Sequence, residues 1–333
     1  MIQRKFVRTV ATTLSVATVL IFGSSQGGEA QPAAGTARIG VLDTAGAATS
    51  AEHLEAFRQG LRVHGHVEGQ SFALEYRSAE DRTERLSALA AELVALRVDV
   101  IVTRGEPAAL AATRATRTIP IVMATSGDPP VTGGDLARPA GNVTGFHVMV
   151  PQNLGGKRLQ LLKEAVPPAT RIGMLWSSGD IYPVPLVKDT ERVAREMGLQ
   201  LKNLELRRAS GFEPTFEDAL FGQIDAVIVV EDTLITTYRS QVLEFVGLSR
   251  LPAIYGAREF VDAGGLMSYG ADRRDLFCRA ATYVHRILNG ARPADLPMAP
   301  PTKFELAINL KTAERLGLTI PPSLLRRADS LIR

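Results

Sequence analysis

The stretch ARIGVL at residues 37–42 recurs as TRIGML at residues 170–175. Two further pairs repeat in the same order: VDVIV at 98–102 with IDAVI at 224–228, and TIPIV at 118–122 with RLPAI at 250–254. These short apolar runs alternate with stretches of helical periodicity, which is typical of βαβ units around parallel sheets. A repeated order of strands indicates a repeated unit. The sequence therefore predicts an α/β protein with two similar open, mainly parallel, doubly wound lobes and an interlobe cleft.

The length and the charge of the chain agree with two globular domains. The chain has 333 residues, of which 45% are hydrophobic and 22% are charged, and its formal net charge is +3. One hydrophobic core rarely serves so long a chain. The basic residues are scattered among acidic ones, with no long basic run that would follow a phosphate backbone. We therefore expect no nucleic-acid partner.

The N-terminal residues have the pattern of an export signal. Three basic residues within the first eight precede an uncharged, mostly apolar stretch at 10–22, and small residues follow at 28–30. This pattern predicts a secretory signal peptide over 1–30, followed by a linker over 31–37. The single cysteine, Cys278, lies far from the apolar stretch, so we expect no lipid anchor. The expected location is the periplasm.

Polar residues that follow the predicted strands are the candidates for a ligand site. In open parallel sheets, ligands bind beyond the carboxyl ends of the strands, where helix N-termini present unpaired N–H groups. Two such lobes that face each other form a cleft. The ligand-binding candidates in the first lobe are Asp43, Thr44, Arg104, Gly105, Glu106, Ser126 and Asp128. Those in the second lobe are Ser177, Ser178, Asp232 and Tyr255.

These candidates leave two kinds of solute open. If the solute is an amino acid, the candidate serine hydroxyls and the helix N–H groups would bind its carboxylate. Asp128 or Asp232 would then hold its ammonium group. If the solute is an anion, Arg104 would supply the opposite charge.

The sequence offers little to an enzyme mechanism. The turn after the first strand, DTAGA at 43–47, has neither the dinucleotide fingerprint nor the phosphate-binding loop. His64 and His66 stand close together, but a zinc site needs three or four converging ligands. We therefore predict no cofactor, no metal and no catalytic residue. The alternative is a secreted transferase or hydrolase that uses the same cleft, since two-lobed α/β folds also occur among enzymes.

Several longer stretches resemble a known family. They are PAALAA at 107–112, TIPIVM at 118–123, LARPAGNVTG at 136–145, GKRL at 156–159, LPAIY at 251–255, REFVDAGGLMSYG at 258–270, PTKFELAINL at 301–310 and GLTIPP at 317–322. In these stretches the chain resembles the ABC-transporter substrate-binding proteins of the tryptophan/tyrosine type, which have the type I periplasmic-binding-protein fold. The resemblance extends over essentially the whole chain after the predicted signal peptide.

The resemblance implies a solute-binding component of an ABC uptake transporter. The first lobe would comprise 38–145 plus 264–297, and the second 146–263 plus 298–333, with three crossovers between them. Closure of the lobes would capture a small molecule, such as an amino acid or a related compound. The chain would deliver this solute to a membrane permease driven by cytoplasmic ATPase subunits. We expect a monomer without enzymatic activity.

Two departures from the family pattern fall at predicted strand ends. RGE at 104–106 stands where the family has a small residue, glycine and threonine. WSS at 176–178 replaces the Trp-Asn-Pro of the family. The resemblance therefore leaves the identity of the solute open.

Overall fold

The computed structural model describes residues 36–126, 141–147, 153–178, 184–206, 216, 223–230 and 232–333. Within these ranges the strands are β1 Ala37–Asp43, β2 Phe72–Ser78, β3 Val100–Arg104, β4 Ile121–Ser126, β5 Val143–His147, β6 Arg171–Ser177, β7 Gln200–Leu206, β8 Ala226–Val229, β9 Ala253–Tyr255, β10 Met267–Ala271, β11 Phe304–Asn309 and β12 Ser330–Ile332. The helices are α1 Ala47–Val63, α2 Leu86–Ala95, α3 Glu106–Ala115, α4 Leu154–Ala165, α5 Val184–Glu196, α6 Thr233–Thr237, α7 Arg239–Leu248, α8 Arg258–Asp262, α9 Arg273–Leu288, α10 Leu310–Arg315 and α11 Pro322–Arg327. None of these helices has the length and hydropathy of a membrane span. The expected signal peptide at 1–30 lies outside the described ranges.

Five parallel strands form the first sheet, in the order β2-β1-β3-β4-β5. The mostly apolar run at 98–102 suits the central position of β3. Side chains of a strand alternate between the two faces of the sheet, and helices cover both faces here. Val100 and Val102 pack against α1 and α9, whereas Ile101 packs against α2 and α3 on the opposite face. We call this sheet with α1, α2, α3 and α9 the first lobe.

Seven strands form the second sheet, in the order β12-β11-β10-β9-β8-β6-β7. The pairs are parallel except for β10 with β11, which is antiparallel. Helices α4, α5, α10 and α11 cover one face, and α6, α7 and α8 cover the other. We call this sheet with these helices the second lobe.

The repeat in the sequence is also a repeat in the fold. Residues 37–42 lie in β1 and residues 171–175 in β6, and each of these strands pairs with the next two strands along the chain. The strand order β2-β1-β3-β4-β5 of the first lobe has the same pattern as β7-β6-β8-β9-β10 of the second. The prediction of two similar, mainly parallel α/β lobes is confirmed.

Among the described elements, three consecutive pairs lie in different lobes. They are β5 with α4, β10 with α9, and α9 with β11. Between α9 and β11, the N–H of Ala299 donates to the carbonyl oxygen of Gly145 at 3.0 Å, and the N–H of His147 donates to that of Ala299 at 3.2 Å. Ala299 therefore still contacts the first sheet.

The structure differs from the lobe boundary expected at Gly264. Residues 267–271 form β10, which pairs with β9 and β11 in the second sheet. Only the following helix, α9, packs on α1 of the first lobe. Glycine at position 270 allows β10 to lie close to β9, because a Cβ there would overlap the carbonyl group of Gly256, just after β9. The segment that returns to the first lobe thus runs from Arg273 to about Ala299.

Candidate functional site

The carboxyl ends of the parallel strands of the two lobes approach each other. Arg104 is the last residue of β3 in the first lobe, and Glu259 lies in α8, which follows β9 in the second lobe. The Nη2 atom of Arg104 donates a hydrogen bond to Oε1 of Glu259 at 2.8 Å. Because both residues follow the carboxyl ends of parallel strands, this contact places the two sets of strand ends opposite each other. The space between them is the candidate site.

Asp43, at the end of β1, is held by contacts inside the first lobe. Its side chain is fully buried. Oδ1 accepts hydrogen bonds from the N–H of Ala45 at 2.9 Å and from Nη1 of Arg104 at 3.3 Å. Oδ2 accepts one from the hydroxyl of Tyr76 at 3.2 Å. Both carboxylate oxygens of Asp43 are thus bound by groups of the protein, and Asp43 positions Arg104 instead of presenting its carboxylate to the cleft.

Arg104 and Glu259 belong to a buried cluster of charges. Their side chains are 6% and 8% exposed, respectively, and Arg273 at the start of α9 donates a further hydrogen bond to Oε1 of Glu259. Burial alone would raise the pKa of Glu259, but the charges of Arg273 and Arg104 outweigh burial and hold it far below its usual range. Glu259 is therefore ionised, and the cluster contains two carboxylates and two guanidinium groups.

The turns after β1 and β3 lie side by side. Gly105 has a φ of +84°, and a Cβ at this position would lie 3.1 Å from the side chain of Thr44. Glycine therefore allows the two turns to approach. Glu106 is half-buried in the first turn of α3, where the helix dipole favours a negative charge. The structure thus brings together Thr44, Gly105 and Glu106 as the strand-end rule predicts.

Asp232 follows β8 and links the carboxyl end of β6 to the N-terminus of α6. Its Oδ2 accepts a hydrogen bond from the backbone N–H of Ser177 at 3.1 Å, and its Oδ1 accepts one from the N–H of Ile235 at 2.7 Å. The second bond caps α6. Asp232 is only 6% exposed, whereas Ser178 is exposed beside it. The three predicted residues lie together, and Ser178 is the most accessible of them.

Two further candidates of the first lobe can be placed only in part. The backbone of Ser126 pairs with that of His147 at the end of β4. The side chain of Ser126 and the whole of Asp128 lie outside the described part of the chain.

Tyr255 is the last residue of β9, but its side chain does not reach the cleft. Its side chain is fully buried, and its ring stacks on Phe260 with the centroids 4.8 Å apart. It lines a cavity of about 350 Å³ together with Leu251, Gly264 and Arg315. Residues 251 and 264 precede β9 and β10, so this cavity lies at the opposite end of these strands from the cleft. Tyr255 is a core residue of the second lobe.

The strand-end rule does not find two members of the charged cluster, Glu259 and Arg273, or the neighbouring His53. Glu259, Arg273 and His53 lie in helices, where charged and polar residues usually face solvent. Glu259 contacts Arg104 across 155 residues of chain, so no local pattern can reveal the pair.

His53 is buried at the edge of this cluster and makes the stability of the chain depend on pH. It is 8% exposed and stacks on Phe277 with the ring centroids 5.3 Å apart. Burial lowers the pKa of His53 from 6.5 to about 4, and nearby arginines, including Arg104 and Arg273, add to this effect, while Glu259 opposes it. The unfolded chain therefore takes up this proton at a higher pH than the folded chain does.

We expect the stabilising contribution of neutral His53 to be fully present above about pH 6.5 and to be lost as the pH falls towards about 4. By about pH 5 this group alone should remove about 2 kcal/mol from the free energy of unfolding. Urea unfolding of the wild type and of His53→Phe, at neutral pH and at about pH 5, measures the effect. The variant should lose less stability on acidification, and equal losses would contradict the assignment.

The histidines do not build a metal centre in the part of the chain that the structure describes. No three His, Cys, Asp or Glu side chains converge there in a way that could hold a metal ion. Instead, the ring of His64 stacks on that of His285 at 4.4 Å, and Nε2 of His66 lies 2.9 Å from Nδ1 of His285. These contacts join α9 to the end of α1 and the turn after it.

Comparison with known proteins identifies relatives along almost the whole chain. The family model described as "ABC transporter substrate binding protein" matches residues 38–332. Among curated proteins, the chain is similar to a tyrosine-binding protein of Clostridioides difficile. The two are 25% identical over 266 residues, which cover 79% of this chain and 76% of the relative.

Solved structures share both lobes with this chain. The ABC domain from Streptococcus pneumoniae in complex with L-Trp is 28% identical, with a TM-score of 0.75, and the match covers 89% of this chain and 100% of that one. A conserved domain protein from Vibrio cholerae is 26% identical, with a TM-score of 0.73, and the match covers 89% and 99% of the two chains. The resemblance and the fold predicted from the sequence are confirmed. This chain belongs to the ABC transporter substrate binding protein family.

Proposed function

We propose that this chain is the extracytoplasmic solute-binding component of an ABC uptake transporter and that it captures an amino acid or a related small molecule between its lobes. One observation carries the proposal. The two lobes have the same strand order, and the contact between Arg104 and Glu259 sets their strand ends opposite each other. Ligands of open α/β sheets bind at such ends, so a solute there can touch both lobes at once.

The solute is captured because it stabilises the closed arrangement of the two lobes. A solute that contacts both sets of strand ends binds the closed arrangement more tightly than the open one and shifts the population towards it. Thr44 and Glu106 are half-buried at the strand ends of the first lobe, and Ser178 is exposed at those of the second. We assign the direct contacts to these residues, with Gly105 and Ser177 beside them, and we keep Ser126 and Asp128 as candidates on the sequence alone. Asp43, Arg104 and Asp232 support the site.

The closed form would be delivered to a membrane permease with cytoplasmic ATPase subunits, which are separate chains. In this role the protein works outside the cytoplasmic membrane as a monomer, after export by the predicted signal peptide at 1–30, and catalyses no reaction. The relatives named above include a tyrosine-binding protein and a structure in complex with L-Trp. Aromatic amino acids are therefore the first solutes to test.

A thermal-shift screen with L-tryptophan, L-tyrosine, L-leucine, sugars, nucleosides and organic acids tests this function. A solute at about 100 times its dissociation constant adds about 2.7 kcal/mol to the free energy of unfolding, which should raise Tm by several degrees. The solute should be recovered unchanged. Its chemical conversion by the purified protein would favour the secreted-enzyme alternative.

A pair of tryptophan variants tests where the solute binds. Ser178→Trp fills the strand ends of the second lobe and should abolish the thermal shift. Ala95→Trp places the same side chain at the exposed last residue of α2, which leads to the amino end of β3, and should leave the shift unchanged. Equal shifts in the two variants would contradict the assigned site.

A further inference from the structure

A positive side chain lies between two buried carboxylates that come from different lobes. Nη1 of Arg104 is 3.3 Å from Oδ1 of Asp43 in the first lobe, and Nη2 is 2.8 Å from Oε1 of Glu259 in the second. The three side chains are at most 8% exposed. A guanidinium group with two N–H donors directed at two separate carboxylates is a bridge, and here it joins the lobes.

Both carboxylates are positioned by other groups as well. Asp43 is held by the N–H of Ala45 and the hydroxyl of Tyr76, and Glu259 is held by Arg273 at the start of α9, which is a second contact between the lobes. The pair of carboxylates is therefore part of the fold and not only a consequence of Arg104. Removal of the Arg104 side chain would leave a space between two fixed negative groups, which suits a small organic cation.

The ion pair between Arg104 and Glu259 is buried, but not all of its polar atoms have hydrogen-bond partners in the part of the chain that the structure describes. Nε of Arg104 and Oε2 of Glu259 are buried without a hydrogen-bond partner among the described residues. A buried pair whose polar atoms are not all satisfied stabilises less than a fully satisfied one. The bridge therefore stabilises the contact between the lobes by less than a fully satisfied ion pair would.

We propose that Asp43 and Glu259 form an interlobe cation site that is filled by the chain's own Arg104. The site is of the class that binds guanidinium and alkylammonium groups. Because its occupant is tethered to β3, it bridges the lobes without any solute and biases the free protein towards a short interlobe distance. It also denies this position to the cationic group of a solute. This last consequence rests on the proposed function, whereas the bridge itself does not.

The experiment measures the distance between the lobes in solute-free protein. Spin labels are attached at Glu84→Cys in the first lobe and Thr236→Cys in the second, both exposed, in a Cys278→Ser background. In Arg104→Ala the population of the short distance should fall by about tenfold. Millimolar methylguanidinium, which restores the missing group, should bring the short distance back in a saturable manner.

Two controls separate this site from a general effect of the cation. Arg171→Ala removes an arginine whose partner, Asp225, lies in the same lobe at 2.7 Å, so neither the variant nor methylguanidinium should change the distance. Glu259→Gln keeps the shape of the site but removes one negative charge. It should lengthen the distance as Arg104→Ala does, and methylguanidinium should not reverse this change.

An unchanged distance in Arg104→Ala, or no saturable recovery with methylguanidinium, would overturn the inference. If Arg104→Ala does not fold, Glu259→Gln decides, because an unchanged distance in that variant overturns the bridge as well. All of these distances are measured without solute. A failed solute screen would thus count against the proposed function and not against this site.

Discussion

Replacing Glu259 with alanine is expected to lower the free energy of unfolding by about 3–5 kcal/mol, because it leaves one buried and one half-buried guanidinium group without their shared carboxylate. Arg104 is nearly inaccessible to water, and Arg273 is also partly buried. Neither can recover the lost interaction by turning to solvent without opening the contact between the lobes. Urea unfolding at neutral pH, monitored by circular dichroism, measures the loss.

A matched control comes from an ion pair that lies near the surface of the second lobe. Asp225 accepts a hydrogen bond from Nη2 of Arg171 at 2.7 Å, and both side chains are more than a quarter exposed. Asp225→Ala also removes contacts to the N–H groups of Thr170 and Arg171, and solvent can replace them. We expect a smaller loss for Asp225→Ala, about 1 kcal/mol. If the two variants lose the same amount, the cluster around Glu259 is not buried as described.

The second large effect is expected at Gly145, in β5 beside a crossing between the lobes. Gly145 has a φ of +132°, and a Cβ there would lie 2.5 Å from the backbone nitrogen of Met123 and even closer to its carbonyl oxygen. These atoms belong to β4, so no side-chain rotation can make room. Gly145→Ala should therefore lower the free energy of unfolding by at least about 3 kcal/mol.

Gly247 is the matched control for Gly145. It lies inside α7, and nothing lies within 4 Å of where its Cβ would be. Gly247→Ala should leave the free energy of unfolding unchanged or raise it by up to about 1 kcal/mol, because alanine favours the helix. Thermal unfolding of both variants, with the same probe, measures the contrast. Similar values for the two would contradict the close approach of β5 to β4.

The sequence predicts the fold well because the central strands of both sheets carry their own apolar signal. The repeated runs at 37–42 and 170–175 mark β1 and β6, because parallel strands covered on both faces are nearly continuous apolar runs. The boundary between the lobes, in contrast to the strands, has no local signal in the sequence. The resemblance assigns residues 267–271 to the first lobe, whereas pairing with β9 and the close approach of Gly270 to Gly256 place them in the second sheet. Such contacts between distant parts of the chain leave no local pattern.

The strand-end rule finds the neighbourhood of the candidate site but not the role of each residue. It correctly brings Asp43, Arg104 and Asp232 to the ends of strands, yet all three are held by contacts within the protein. Several of their partners lie in other strands and helices, so the sequence cannot separate a supporting group from a solute contact. Tyr255 illustrates the same limit, because the end of a strand does not fix the direction in which a side chain packs.

Hydrogen exchange tests most directly whether a solute is held between the two lobes. The measurement compares the purified chain with and without the solute that gives the largest thermal shift. We predict slower amide exchange at the strand ends of both lobes, in the segments around Thr44 and Glu106 and in those around Ser178 and Asp232. Slower exchange in one lobe alone, or only around the cavity beside Tyr255, would contradict capture between the lobes.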